Sequence, residues 1–149
     1  MMLAATQGGM AFANSSVTLI HGMSRPIGAL YHVPHGLSNA MLLPEITAWS
    51  VHHAPVRYAH CARVMGMAEE ADSDAVACEK LVAALRLLTA DLKVPSPAEF
   101  GIAEDDWNGS LALMAEQALA SGSPASASKH KPVGCTWGRS SCPKTIVLP

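Results

Sequence analysis

The stretch of sequence that decides the fold is DSDAVACEKLVAALRLLTADLKVP, from Asp72 to Pro95. Its acidic residues Asp72 and Asp74 suit the positive end of a helix dipole, and Pro95 cannot continue a helix. Between them, leucines at spacings of four, three and four residues fall on one helix face: Leu81, Leu85, Leu88 and Leu92. The stretch therefore predicts an amphipathic helix that packs one face against other elements.

Helix signals on both sides of this stretch predict further helices. Pro55 suits the first turn of a helix, and Gly66 suits the left-handed residue that follows one. The spacing of Ser96 and Glu99 is that of a capping box, which predicts a short helix starting there.

A last helix is predicted from an acidic start at residues 104–106. Its apolar face repeats at helical spacing in Trp107, Leu111, Met114 and Ala118. Alternating strand patterns are almost absent before the last few residues of the chain. The predicted fold class is therefore all-α, a helical bundle.

Two early segments are apolar nearly all round and predict buried helices. Met1–Ile20 is rich in Ala, Gly, Met and small hydroxyl residues, which suits close packing on several sides. Leu37–Trp49 is also apolar around its circumference, and we expect Pro44 to kink or restart that helix. Buried helices this early predict an interior segment at the N-terminus, covered by other protein.

The composition changes abruptly at Ser121 to Ser, Pro, Gly and Lys, without helical or strand period. We predict a partial all-helical domain over residues 1–124 and a disordered or aberrant tail over residues 125–149. The four cysteines fit neither a redox nor a zinc spacing and are interpreted as ordinary thiols: Cys61, Cys78, Cys135 and Cys142.

Charge and hydropathy exclude two classes of partner. Ten basic and 12 acidic side chains among 149 residues give a formal net charge of -2, without a long Lys/Arg run. This balance offers little attraction for nucleic acid or an anionic membrane. No apolar run approaches the roughly 20 residues that span a bilayer, and the N-terminus lacks the pattern of a signal peptide. We therefore predict a cytoplasmic protein with no nucleic-acid or membrane partner.

Candidate metal ligands lie in HGMSRPIGALYHVPHGLSNAMLL, residues 21–43. This segment places His21, His32 and His35 around a Pro-Ile-Gly sequence. We expect a rigid, non-helical connection that returns one histidine toward another, as a metal site requires. His21 and His35 are fourteen positions apart, which is neither an HExxH nor a zinc-finger spacing. The residues alone therefore support only a general metal hypothesis.

The longer segment GMAFANSSVTLIHGMSRPIGALYHVPHGLSNAMLLPEITAWS resembles the histidine signature of iron-containing alcohol dehydrogenases. The resemblance continues through PVRYAHCARVMG, the Leu81–Leu92 helix, PSPAEFGIAEDDW and ALASGSP, and so covers residues 1–124. In that family an N-terminal α/β domain binds a nicotinamide cofactor. A C-terminal helical domain supplies most of a divalent metal site made by one Asp and three His.

The resemblance implies NAD(P)-linked oxidation of alcohols or reduction of aldehydes, with a metal that polarises the substrate oxygen. His21 matches the metal ligand in the family's HGM element, and His35 matches the ligand in its PHG element. His32 falls at a variable position and is not expected to be a ligand. Fe²⁺ is the first expectation and Zn²⁺ the second, since neutral imidazoles suit both ions.

Three departures from the family pattern limit what the resemblance implies. Arg25 stands where many members have a histidine near the nicotinamide, and a permanently charged guanidinium cannot relay protons. The family's Asp, its first His ligand and its cofactor-binding domain would precede Met1, and no Gly-rich phosphate loop follows a strand here. We therefore expect the N-terminal cofactor-binding domain to be absent and no residue of this chain to bind the cofactor. The stretch from Cys135 to Pro149 does not resemble the family.

Two functions remain as hypotheses. The first is a C-terminal part of a metal-dependent alcohol dehydrogenase that carries part of the metal site and is inactive alone. The complete enzyme would act on a small alcohol or aldehyde, and the chain would pair with a complementing N-terminal domain chain or form a homo-oligomer. The second is an inactive helical remnant that packs with a partner. No catalytic residue is assigned, because acidic groups such as Glu45 and residues 104–106 are interpreted as helix-start and surface groups.

Overall fold

The computed structural model describes residues 1–15, 17–120, 133–135 and 144–146. Its helices are α1 (Met2–Ser15), α2 (Leu19–Tyr31), α3 (His35–Ser50), α4 (Pro55–Val64), α5 (Asp74–Asp91), α6 (Pro97–Phe100) and α7 (Glu104–Ala120). Two short strands, β1 (Val133–Cys135) and β2 (Lys144–Ile146), pair antiparallel with Val133 opposite Ile146. The predicted all-α class is confirmed, because the elements that form the described core are all helices.

The larger core cluster joins α2, α3 and α7. Trp107 of α7 is 1% exposed, and its ring centre lies 6.4 Å from that of Tyr31 on α2. The Tyr31 hydroxyl donates a 2.8 Å hydrogen bond to the carbonyl oxygen of Asp106. Further fully enclosed side chains in this cluster are Met23, Ile27, Ile46 and Met114. These contacts hold α2 and α3 together and thereby position the histidines that each helix carries.

The second core cluster joins α4 and α5 to the end of α3. Small side chains are fully buried in it, which lets the helices approach closely: Ala59, Ala62 and Ala77. Arg63 of α4 donates from Nη2 to the carbonyl oxygen of Asp72 at 2.7 Å and to Asp74 Oδ1 at 2.9 Å. The start of α5 is therefore tied to the end of α4 by charge as well as by packing.

Local signals predicted the ends of the later helices correctly. Pro55 occupies the first position of α4, and Gly66 follows that helix with a φ of 72°. Ser96 and Glu99 form the predicted capping box at the start of α6, with both hydrogen bonds present. The α5 helix also starts as predicted, with the Ser73 hydroxyl accepting from the backbone of its first turn.

The leucine face of α5 is less buried than predicted. Leu81 and Leu85 are 4% and 7% exposed, whereas Leu88 and Leu92 are 44% and 68% exposed. The reason is length, because α5 has 18 residues and its neighbour α4 has only 10. The C-terminal part of α5 therefore extends past the helix that covers its first half.

The structure divides the helix predicted over Met1–Ile20, and its first part, α1, is exposed within the described part of the chain. This helix ends at Ser15 and buries none of its residues, with Met2 88% exposed and Phe12 58% exposed. Burial resumes only at Leu19, in α2. An apolar composition makes a helix able to pack, but burial also needs a neighbour, and none covers α1 in the described part of the chain.

The connection between the candidate histidines is shorter than predicted. Pro26 lies inside α2 and Pro44 inside α3, so only residues 32–34 are non-helical. Both prolines are buried, and Pro26 is among the most enclosed side chains. Core packing therefore offsets the backbone hydrogen bond that a proline removes from a helix interior.

The prediction of a disordered or aberrant tail over residues 125–149 lies outside the described residues, apart from the backbone of the two short strands. Cys61 and Cys78 are free thiols, the first exposed and the second buried. A membrane-crossing helix is not found in the described ranges, where every helix is too short or too polar.

Candidate metal centre

Two of the three candidate histidines come together where α2 and α3 meet. His21 lies in the first turn of α2, and His35 is the first residue of α3. The chain reverses between them through His32, which takes a left-handed conformation with a φ of 54°. Gly28 permits the close approach, because a Cβ atom there would lie 3.3 Å from the carbonyl oxygen of Val33.

The spacing of the His21 and His35 rings suits one shared ion. Their ring centres are 5.2 Å apart, with an angle of 60° between the ring planes. Two imidazoles bound to one Fe²⁺ or Zn²⁺ through nitrogens about 2.1 Å away would hold their ring centres about 5 Å apart at common coordination angles. The two side chains, here called the histidine pair, therefore fit a divalent metal as two of its ligands.

The environment of His21 favours its neutral, metal-binding form. Its partly buried position lowers the pKa of the imidazole below the ordinary value of 6.5, and the charges of His35 and Arg25 lower it further. A metal ligand must offer a lone pair, so a neutral ring is the required form. The bound metal would add positive charge in the same place.

His35 is held by two residues of its own helix. The Ser38 hydroxyl and the Asn39 side-chain amide both donate to the carbonyl oxygen of His35, each at 2.9 Å. The same Asn39 nitrogen lies 3.1 Å from Nε2 of the His35 ring. The sequence-based reasoning missed Asn39, although a polar amide four positions after a histidine in a helix faces that histidine.

The other histidines that the structure describes do not join this pair. His32 is exposed and follows the last residue of α2. His53 stacks on Trp49 with ring centres 4.3 Å apart, and its Nδ1 lies 3.2 Å from the Trp49 carbonyl oxygen. Both His52 and His60 are exposed. Arg25 is also exposed, one helical turn after His21, and acts on the pair through its charge.

The histidine pair is an incomplete coordination sphere. Within the described ranges, no group of three or more His, Cys, Asp or Glu side chains converges to hold a metal ion. Glu45, an acidic residue of α3, instead binds the guanidinium of Arg86 at 3.1 Å. A metal at the histidine pair therefore needs further ligands from water or from other protein.

A family comparison matches most of the chain. Residues 1–133 match the C-terminal part of the Fe-containing alcohol dehydrogenase family. The match includes both members of the histidine pair and every described helix.

Characterised relatives include several alcohol and aldehyde enzymes. The chain is 35% identical to the 1,3-propanediol dehydrogenase of Klebsiella pneumoniae over 123 residues, which are 82% of this chain and 31% of the relative. It is 36% identical to the lactaldehyde reductase of Escherichia coli (strain K12) over 99 residues, 66% of this chain and 26% of the relative. The chain thus spans less than a third of the length of these relatives.

Solved structures show the same arrangement of helices. A crystal structure of a 1,3-propanediol oxidoreductase superposes with a TM-score of 0.69 at 34% identity, over 77% of this chain and 29% of that one. An alcohol dehydrogenase from Oenococcus oeni superposes with a TM-score of 0.68, also at 34% identity and with the same coverage.

Proposed function

Because the chain belongs to the iron-containing alcohol dehydrogenase family, we propose that it supplies two metal ligands, His21 and His35, to an NAD(P)-linked enzyme that interconverts alcohols and aldehydes. The observation that carries the proposal is the 5.2 Å separation of the two rings. A shared ion accounts for two imidazoles, one half-buried and one exposed, whose tilted rings lie this close at the contact of two helices.

A divalent metal at this position would act as a Lewis acid on the substrate oxygen. His21 and His35 would hold it as neutral donors on two helices that the core fixes against each other. Arg25 would add a fixed positive charge beside the site, which favours an anionic oxygen on the substrate. Because its guanidinium stays charged, Arg25 cannot itself transfer a proton during turnover.

The described residues complete neither the metal sphere nor a nicotinamide site. We infer that the other ligands and the NAD(P) site come from protein outside this sequence, and that these 149 residues alone are inactive. The names of two relatives differ in cofactor, since one is an NADPH-dependent butanol dehydrogenase and another an NAD-dependent methanol dehydrogenase. The proposal therefore allows either NAD or NADP as the cofactor. Fe²⁺ is the first expectation for the metal, and Zn²⁺ is the second.

The test is anaerobic titration calorimetry of the purified chain with Fe²⁺ and with Zn²⁺. His21→Ala and His35→Ala should each weaken binding by at least about tenfold, because each removes one of two protein ligands. The exposed residue His52 gives the matched control, and His52→Ala should leave the affinity unchanged. Equal affinity in the wild type and both ligand variants would contradict the proposed metal site.

A second candidate function rests on the exposure of α1. Its apolar side chains include Leu3, Met10 and Phe12, which are 72%, 62% and 58% exposed. An apolar helix without cover is typical of a surface that packs against another chain. If the chain acts only by packing, sedimentation velocity should show association that Phe12→Asp removes, while Val64→Asp, on the exposed surface of α4, should not change it.

A further inference from the structure

The side chain of Asn39 occupies the nitrogen of His35 that could bind a metal. Its Nδ2 atom lies 3.1 Å from His35 Nε2 and 2.9 Å from the carbonyl oxygen of the same residue. The second contact fixes the amide orientation, because a side-chain oxygen placed there would face the carbonyl oxygen. Asn39 therefore presents N–H groups to both atoms.

This contact determines which ring nitrogen of His35 carries the proton. An amide nitrogen can only donate, so Nε2 must accept and must be unprotonated. The neutral His35 ring then carries its proton on Nδ1. One nitrogen is protonated and the other already accepts a hydrogen bond, so neither has a free lone pair for a metal in this arrangement.

A metal ion can replace the hydrogen bond that Asn39 makes to Nε2 of His35. Asn39 Oδ1 is buried and has no hydrogen-bond partner within the described part of the chain. A buried acceptor without a donor destabilises the conformation that holds it. The contact with Nε2 is a single hydrogen bond at the exposed surface of His35, so a metal can displace it.

We propose that Asn39 is a positioning residue that competes with the metal for Nε2 of His35. In the metal-free chain it fixes the ring and its Nδ1–H tautomer, and metal binding requires it to release Nε2. The proposal rests on the proposed function, because it treats His35 as a ligand. It adds that the affinity of the histidine pair is set partly by a side chain that does not touch the metal.

The test compares Asn39→Leu with the wild-type chain at about pH 8, where an ordinary imidazole is neutral. Leucine has a similar shape and cannot donate a hydrogen bond. We expect Zn²⁺ to bind about 2- to 10-fold more tightly to Asn39→Leu, the equivalent of one neutral hydrogen bond. Nitrogen NMR of the metal-free chain should show His35 losing its preference for the Nδ1–H tautomer.

Two further variants keep the test decisive. Ser38→Ala removes a hydrogen bond to the same His35 carbonyl oxygen without touching the ring, so tautomer and affinity should both stay unchanged. Asn39→Asp keeps the size of the side chain but removes its N–H donor, so His35 should lose its preference for the Nδ1–H tautomer. Circular dichroism confirms that each variant is folded.

The outcomes separate this proposal from the proposed function. Weaker Zn²⁺ binding in Asn39→Leu, or a His35 tautomer unchanged in both Asn39 variants, overturns the role of Asn39 while leaving the metal site standing. Zn²⁺ binding that is absent, or insensitive to His21→Ala and His35→Ala, overturns the metal site itself. Tighter binding together with the tautomer change supports both.

Discussion

The pair α2–α3 and the pair α4–α5 are stabilised by different means. The α4–α5 pair has a proline at its first position, a serine cap and a 2.9 Å ion pair between Arg63 and Asp74. The α2–α3 pair has a proline inside each helix and no side-chain hydrogen bond capping either N-terminus. Residues near in sequence stabilise the α4–α5 pair, whereas a helix distant in sequence, α7, stabilises the α2–α3 pair.

This difference has a functional meaning. The histidine pair lies on two helices that lack a side-chain hydrogen bond at their N-terminus and contain an internal proline. Strained or weakly capped elements are common where a protein places functional groups, because ligand geometry takes precedence over local stability. The α4–α5 pair carries neither histidine of the pair, and its helices start with a first-turn proline and a serine cap.

The largest expected effect comes from removing the packing by which α7 stabilises α2 and α3. Trp107→Ala empties a fully buried site between α2 and α7 and should lower the free energy of unfolding by about 3 to 5 kcal/mol. Urea denaturation followed by circular dichroism measures this change. Because Trp107 holds α2 in place, metal binding by the histidine pair should weaken in parallel.

Leu87→Ala is the matched control for that substitution. Leu87 is a large apolar residue that is 66% exposed on α5, so its loss should change stability by no more than about 0.5 kcal/mol. A Trp107→Ala protein as stable as the control would show that α2 and α3 do not depend on α7.

The local support of α4 and α5 can be tested through two arginines. Arg63 is 16% exposed and bonds to the carbonyl oxygen of Asp72, before α5, and to the carboxylate of Asp74, the first residue of α5, so Arg63→Met should cost about 1.5 to 3 kcal/mol. Arg86 is 55% exposed in its ion pair with Glu45, and Arg86→Met should cost less than about 1 kcal/mol. Chemical denaturation of both variants gives the comparison, and equal losses would contradict a special role for Arg63.

The smallest expected effect is a pH dependence at the same helix junction. A hydrogen bond from Lys80, 2.7 Å long, holds the pKa of the Asp72 carboxyl below its ordinary value of 3.8, and the backbone N–H of Glu69 adds to the effect. Because the folded state prefers the ionised form, this contribution is complete above the unfolded pKa. It is lost as the pH falls through the lower folded pKa.

The measurement is the stability difference between wild type and Asp72→Asn at a series of pH values. The difference should be constant above about pH 5 and shrink below the ordinary pKa of the carboxyl. In a Lys80→Met background, the same substitution should give a difference that depends less on pH. A difference that grows in acid would contradict the direction of the shift.

By itself, the sequence determined the features that act over a few residues. The helix starts at Pro55 and Ser96 followed from proline and capping-box chemistry, and the start of α5 followed from the acidic residues Asp72 and Asp74, because these groups act on the backbone within one turn. The two histidines of the pair were predicted from the resemblance of residues 21–43 to the histidine signature of the family. The apolar face of α7 followed from its helical period, since Trp107 and Met114 are both enclosed.

Only the tertiary structure decided what depends on distant neighbours. It kept Pro26 inside a helix, because the core around that proline offsets its missing hydrogen bond. It left α1 exposed, because no described helix covers it, and it left Leu88 and Leu92 more exposed than Leu81 and Leu85 because they lie past the end of the shorter α4. It brought the rings of His21 and His35 to 5.2 Å and placed Asn39 on Nε2, since side-chain distances depend on how helices pack and not on the spacing of residues in the chain.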